Sequence, residues 1–230
     1  MANISLVREH THKWEGGLSS DTRDTALASG HSGVKNPKTG GYYHTNKGIV
    51  WKTYVTYCNR VGKTPNPNEF IKMPDKLWDD IAYSLYWKPN DLDNVNSQPV
   101  AEIIFEAYWG GGGHILVRDM QRKLADDGFL GANKQPLIID GAMGKNTTYA
   151  LNNATRTLDE QEAMVKYLTD QRFRYLKSLS SWSWAGKGWS NRVNDLYAKS
   201  MKYLSVQGLL GTLVTGGLFF LVYKKFFKKG

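Results

Sequence analysis

Residues 100–113 read Val-Ala-Glu-Ile-Ile-Phe-Glu-Ala-Tyr-Trp-Gly-Gly-Gly-Gly. Val100–Trp109 has the apolar content and length of a helix that faces a core, and four glycines stop it. The same grammar, an apolar helical stretch closed by glycine or proline, recurs on both sides. Upstream, Ile4, Leu6, Val7 and Trp14 mark a first helix ending at Gly16-Gly17. Asp75 is expected to cap a helix carrying Leu77, Trp78, Ile81, Ala82 and Leu85 that Pro89 limits. Downstream, Ile115, Leu116, Met120 and Leu124 form a helix closed by Gly128. Thr157 and Glu160 make a capping box. It opens a long helix through Met164, Tyr167, Leu168, Tyr175 and Leu179. Arg192–Leu204 reads as a final helix. Period-2 strands are scarce, apart from a small hairpin around Tyr42–Val50. The expected class is therefore mainly α with one β-hairpin. The polar stretch from Thr25 to Gly41 reads as a long surface loop, of the kind that is functional or mobile.

Length and composition narrow the function. The chain has 230 residues, 41% hydrophobic and 22% charged, which fits one compact domain with an appendage and excludes global disorder. Cys58 is the single cysteine, so an intrachain disulfide and a cysteine zinc cluster are excluded. The net charge of +9 favours a polyanionic partner such as nucleic acid, anionic lipid or an acidic wall polymer. Eight tryptophans and thirteen tyrosines hint at flat ligands. No recognition-helix motif accompanies the basic charge, so nucleic acid is not an expected partner. The histidines His10, His12, His31, His44 and His114 lack metal-ligand spacing, and no metal is expected.

Residues 204–223, LSVQGLLGTLVTGGLFFLVY, carry no charge. As a helix they would span ~30 Å, a bilayer's hydrocarbon thickness. Tyr203 and Tyr223 stand at the ends, with Lys199 and Lys202 on one flank and a basic tail, 224–230, on the other. These features predict a single C-terminal transmembrane helix, a lipid membrane as partner, and self-association through Gly208, Thr212 and Gly216. The N-terminus has no signal-peptide pattern. A viral internal membrane is the expected location, with a host inner membrane as the alternative.

The chemistry is concentrated near the N-terminus. Trp14-Glu15-Gly16-Gly17 sets a carboxyl at the end of a helix, beside an indole and before two glycines. Glycoside cleavage needs such a proton donor and a second group that positions water or stabilises the oxocarbenium-like transition state. Asp21 and Asp24 follow closely, and Thr45 lies in His44-Thr45-Asn46-Lys47-Gly48-Ile49.

Glu15-Gly16-Gly17-Leu18-Ser19-Ser20-Asp21 resembles the opening E-G-G-Y-x-x-D-P of family 108 glycoside hydrolases, the N-acetylmuramidases of phages and bacterial secretion systems. His44–Ile49 resembles that family's x-T-x-x-G-I. Tyr86-Trp87, Ile104–Gly110, Met120–Leu124, Asp140–Thr147 and Gly188–Arg192 resemble its Y-W, F-D-x-x-x-x-S-G, L-Q-x-x-L, D-G-x-x-G-x-x-T and G-W-x-x-R segments, in order. The chain departs from the pattern at Leu18 in place of tyrosine, at Glu106 in place of aspartate, and in about fifteen extra residues after Asp24.

The resemblance implies a lysozyme-like catalytic region over 1–110 and a peptidoglycan-binding-like helical region over 111–203. It implies a muramidase that cleaves the β-1,4 bond between N-acetylmuramic acid and N-acetylglucosamine, with peptidoglycan as partner and no cofactor. Glu15 would be the acid, with Asp21, Asp24 and Thr45 as candidates for the second role. Trp14, Tyr43, Trp109 and Trp189 are the aromatic candidates for sugar binding, and Trp182 and Trp184 add to the cluster around Trp189. A lytic transglycosylase, or a non-catalytic wall-binding membrane protein of a virion, is the alternative.

Overall fold

The computed structural model describes residues 1–214. The chain divides into two compact units, Ala2–Asn94 and the residues from Val95 onward.

The first unit opens with a single 3-10 turn, Ile4–Leu6, and helix α1, Arg8–Trp14. Two short strands, β1 (Thr45–Asn46) and β2 (Ile49–Val50), pair antiparallel with Thr45 opposite Val50 and Asn46 opposite Ile49. A two-residue loop, Lys47-Gly48, joins them. Both residues have positive φ, +49° and +78°, as a type I′ hairpin turn requires. Helices α2 (Trp51–Arg60), α3 (Pro67–Lys72) and α4 (Asp75–Ala82) follow. A π-turn at Tyr83–Trp87 and a 3-10 turn at Lys88–Asn90 extend α4. Tyr54, Phe70, Trp78, Ile81 and Trp87 are fully buried and make the core.

Several local devices tie the hairpin to the helices. The amide of the buried Asn46 donates to the carbonyls of Phe70 and Ile71 at 2.8 and 2.9 Å. The Trp78 indole N–H donates to the Lys47 carbonyl at 3.0 Å, and Lys47 Nζ reaches Asp75 at 2.7 Å. Asp75 was expected as a helix cap. Pro74 stands at the cap position instead, and the Asp75 carboxylate serves the hairpin tip.

The stretch after Asp24 is more ordered than a loop reading suggests. A 3-10 turn, Thr25–Ser29, is followed by chain that pairs beside residues 42–43. Ser32 N–H donates to the Tyr43 carbonyl at 2.8 Å, and Tyr43 N–H to the Val34 carbonyl at 3.0 Å. His31 stacks on Tyr42 with ring centroids 4.1 Å apart.

The second unit contains α5 (Gln98–Trp109), α6 (Gly113–Asp126), α7 (Lys145–Asn153), α8 (Leu158–Ser178) and α9 (Trp182–Val214). Helix α5 is buried from Gln98 to Ala107, so both of its glutamates need partners. Glu106 pairs with Arg192 at 2.6 Å and Glu102 with Lys199 at 2.7 Å. The first pair joins two sequence motifs 86 residues apart. A second junction lies at Gln121, whose amide donates to Asp140 and to the Ala142 carbonyl and accepts from Gly141 N–H at 2.8 Å. The Asp140–Thr147 motif is thereby folded around a side chain of α6.

The capping box at Thr157 forms in both directions, with Thr157 N–H to Glu160 at 2.8 Å and Glu160 N–H to the Thr157 hydroxyl at 3.2 Å. Thr157→Ala is expected to lower the stability of this unit by about 1 kcal/mol, read from urea denaturation. An unchanged midpoint would mean that packing alone holds the start of α8.

Among the described residues no helix is long and apolar enough to cross a membrane. This overturns the expected transmembrane helix and the membrane location with it; a lipid partner and self-association are not shown. The physical reason lies in α9. It starts at Trp182, ten residues before the expected start at Arg192, and its charge-free portion continues a helix packed on α8. Leu204 and Ser200 are buried within the unit. A Cβ at Gly208 would lie 3.4 Å from Leu158 Cδ1, ordinary contact distance, so this small residue faces the chain's own helix. Leu204 and Gly208 serve the protein's own packing, while Leu209 is exposed. Residues 215–223 of the expected span and the tail 224–230 lie outside the described residues.

Candidate active site

The site grows from the end of α1. The Glu15 N–H closes the helix onto the Thr11 carbonyl at 3.1 Å, and Glu15 itself turns to an extended conformation, φ −91° and ψ 136°. Ser19 then lies along β1, its N–H donating to the Thr45 carbonyl at 2.8 Å and its carbonyl accepting from His44 N–H at 3.1 Å. This pairing draws the segment that begins at Glu15 onto the hairpin.

The Glu15 carboxyl lies against the hairpin tip. A Cβ at Gly48 would stand 2.4 Å from Glu15 Oε2 and 2.5 Å from Cδ. Only glycine permits both that approach and the positive φ. Tyr86, from the π-turn, feels the charge of Glu15. Burial raises the pKa of its phenol; a hydrogen bond with Thr53 opposes the rise and the charge of Glu15 adds to it. Trp14 is half-buried beside Glu15, with Lys13 Nζ 5.4 Å from its ring centroid.

The other candidates gather around His44, whose ring is completely buried. Its Nε2 lies 3.1 Å from the Asp21 carbonyl and its Nδ1 2.9 Å from the Thr45 hydroxyl. Asp24 Oδ2 is 3.9 Å from the same Nδ1, while Oδ1 accepts from Ala26 N–H at 2.8 Å and caps the following turn.

Asp21 and Asp24 differ in environment. The exposed Asp21 carboxylate is held by Arg23 through Nε at 3.0 Å, Nη2 at 2.7 Å and the Arg23 N–H at 3.0 Å. The Arg23 side chain first, then its backbone N–H, keep this carboxyl well below the usual carboxylate range. Asp24 is half-buried and turned toward His44.

The structure thus brings Asp24, Thr45 and the Asp21 backbone together through His44, and sets Glu15 on the same hairpin. Tyr43 stands one residue before His44, fixed by its backbone pairing to the Ser32–Val34 segment. Trp109 and Trp189 belong to the second unit. There Trp109 stacks on Phe105 with centroids 5.7 Å apart, and Trp189 lines a cavity of about 70 Å³ with Glu106, Arg172 and Arg192. The residues that sequence reasoning missed are His44, Gly48 and Tyr86 as parts of this site. Each sat in a quoted motif, yet its contact is tertiary.

Residues 8–112 match the family model described as Glycosyl hydrolase 108. The match begins at α1, takes in the hairpin and ends at the glycine run after α5. No curated protein matches the sequence. A solved structure titled "Structure of Brucella abortus SagA" is similar, with a TM-score of 0.56 and 21% identity over 87% of this chain and 95% of that one. That likeness is one of fold. The helices, the small hairpin carrying Thr45 and the family match agree that residues 8–112 are similar to a glycosyl hydrolase 108 domain, and that match supports a peptidoglycan-degrading glycoside hydrolase activity.

Proposed function

We propose that the protein is an N-acetylmuramidase that hydrolyses the β-1,4 bond between N-acetylmuramic acid and N-acetylglucosamine. The observation that carries this reading is the Glu15 carboxyl laid on the tip of the Thr45 hairpin. Glu15 protonates the departing glycosidic oxygen. Asp24 takes the proton of the attacking water, and the Thr45 hydroxyl holds that water. Asp21 is the weaker candidate for this role, because Arg23 occupies its carboxylate. Trp14, half-exposed next to Glu15, offers an indole surface to a sugar face. Two polar groups set to hold water favour hydrolysis over attack by the sugar's own 6-hydroxyl.

Mass spectrometry of fragments released from purified peptidoglycan tests the reaction type. Soluble products are expected to end in reducing N-acetylmuramic acid. Products carrying only 1,6-anhydro ends would overturn hydrolysis and move the protein to the lytic transglycosylases.

A further inference from the structure

We propose that His44 is a positioning residue that fixes the direction of the Thr45 hydroxyl. The inference rests on Asp24 and Thr45 handling the attacking water, and it starts from hydrogen-bond valence. A carbonyl oxygen only accepts, so the contact of 3.1 Å between His44 Nε2 and the Asp21 carbonyl requires the hydrogen on Nε2. A neutral imidazole has one N–H, so Nδ1 carries a lone pair. The Thr45 hydroxyl, 2.9 Å away, then donates its hydrogen to Nδ1. A hydroxyl has one hydrogen. With that hydrogen committed to the ring, Thr45 can only accept from anything on its other side.

That polarity suits the reaction. An attacking water aims a lone pair at the anomeric carbon, so it needs acceptors for its hydrogens. Thr45 accepts one and the Asp24 carboxylate the other. The water oxygen bonds to the anomeric carbon as the glycosidic C–O bond breaks. The Glu15 proton goes to the departing oxygen, and the water proton goes to Asp24. His44 exchanges no proton in this step; it acts through Thr45. Asp24 lies 3.9 Å from Nδ1, beyond hydrogen-bond distance, which leaves that nitrogen to Thr45.

The test compares His44→Asn and His44→Gln with wild type and Glu15→Gln, on purified peptidoglycan. The Asn amide oxygen occupies the place of Nδ1 and keeps an acceptor for Thr45. The Gln amide reaches only the place of Nε2. His44→Gln is expected to lose about tenfold or more in kcat with little change in KM, the cost of a misoriented group. His44→Asn is expected to recover part of that loss. Equal losses in both variants would mean a merely structural ring, and would overturn the inference. Should the variants not fold, ¹⁵N NMR of the wild-type ring decides: an Nε2–H tautomer is required, and an Nδ1–H tautomer overturns it. An active Glu15→Gln protein would instead sink the underlying reading. An inactive Glu15→Gln beside a His44→Gln of wild-type kcat would sink this inference alone.

Discussion

Glu15→Gln is expected to reduce peptidoglycan turnover at least ~100-fold, the low end for loss of a general acid. The amide keeps the shape of the carboxyl and still fits against Gly48, but it has no proton to give to the departing sugar oxygen. Glu15 ends a seven-residue helix and is only half-buried, so the variant is expected to fold with an unchanged circular dichroism spectrum. Zymography on purified peptidoglycan, with the two proteins side by side, measures the loss. A Glu15→Gln protein that clears the gel like wild type would remove Glu15 from the mechanism. Asp21→Asn is expected to cost less than Asp24→Asn, because Arg23 already neutralises the Asp21 carboxylate.

Helix α5 was legible in the sequence because a long apolar run closed by four glycines has few alternatives. The box at Thr157 and Glu160 was legible because two side chains three residues apart specify it locally. The hairpin around Tyr42–Val50 could be placed, but its function as the platform under Glu15 could not. That function depends on Gly48 lacking a Cβ where another segment arrives. Helices α2 and α3 were not foreseen. They are ten and six residues long and take much of their stability from burial of Tyr54 and Phe70, which no local signal announces.

Errors at the C-terminal end and at Asp75 have a common origin. Hydropathy reports that this stretch is apolar, and it is blind to whether lipid or the protein's own helices receive Leu204 and Gly208. Leu204 is 1% exposed within the protein, and Gly208 faces Leu158. Likewise an aspartate at a helix start is a good cap in isolation, yet the Lys47 ammonium 2.7 Å away claims the Asp75 carboxylate. His44 was weighed as a metal ligand because histidine spacing is what a sequence displays. Its neighbours Asp21 and Thr45 lie 23 and 1 residues away, and only the folded chain sets them on opposite ring nitrogens.

Gly48→Ala is expected to lower turnover by about 100-fold, the scale of a catalytic group moved by an ångström. The added Cβ would stand 2.4 Å from Glu15 Oε2, an overlap the carboxyl relieves by leaving its place against the hairpin. Because the displaced atoms end a flexible side chain, the stability loss is expected to stay near ~1 kcal/mol, mostly from forcing alanine to positive φ. Gly62→Ala separates the two effects. Gly62 has φ +69°, close to the +78° of Gly48, and no atom within 4 Å of the position its Cβ would take. Both variants then carry a similar backbone cost, and only one disturbs Glu15. Urea denaturation is expected to give similar shifts for the two, with turnover lost in Gly48→Ala and retained in Gly62→Ala. Equal activity in the pair would mean that the Glu15 carboxyl reaches its working position without the hairpin tip, and the platform argument would fall.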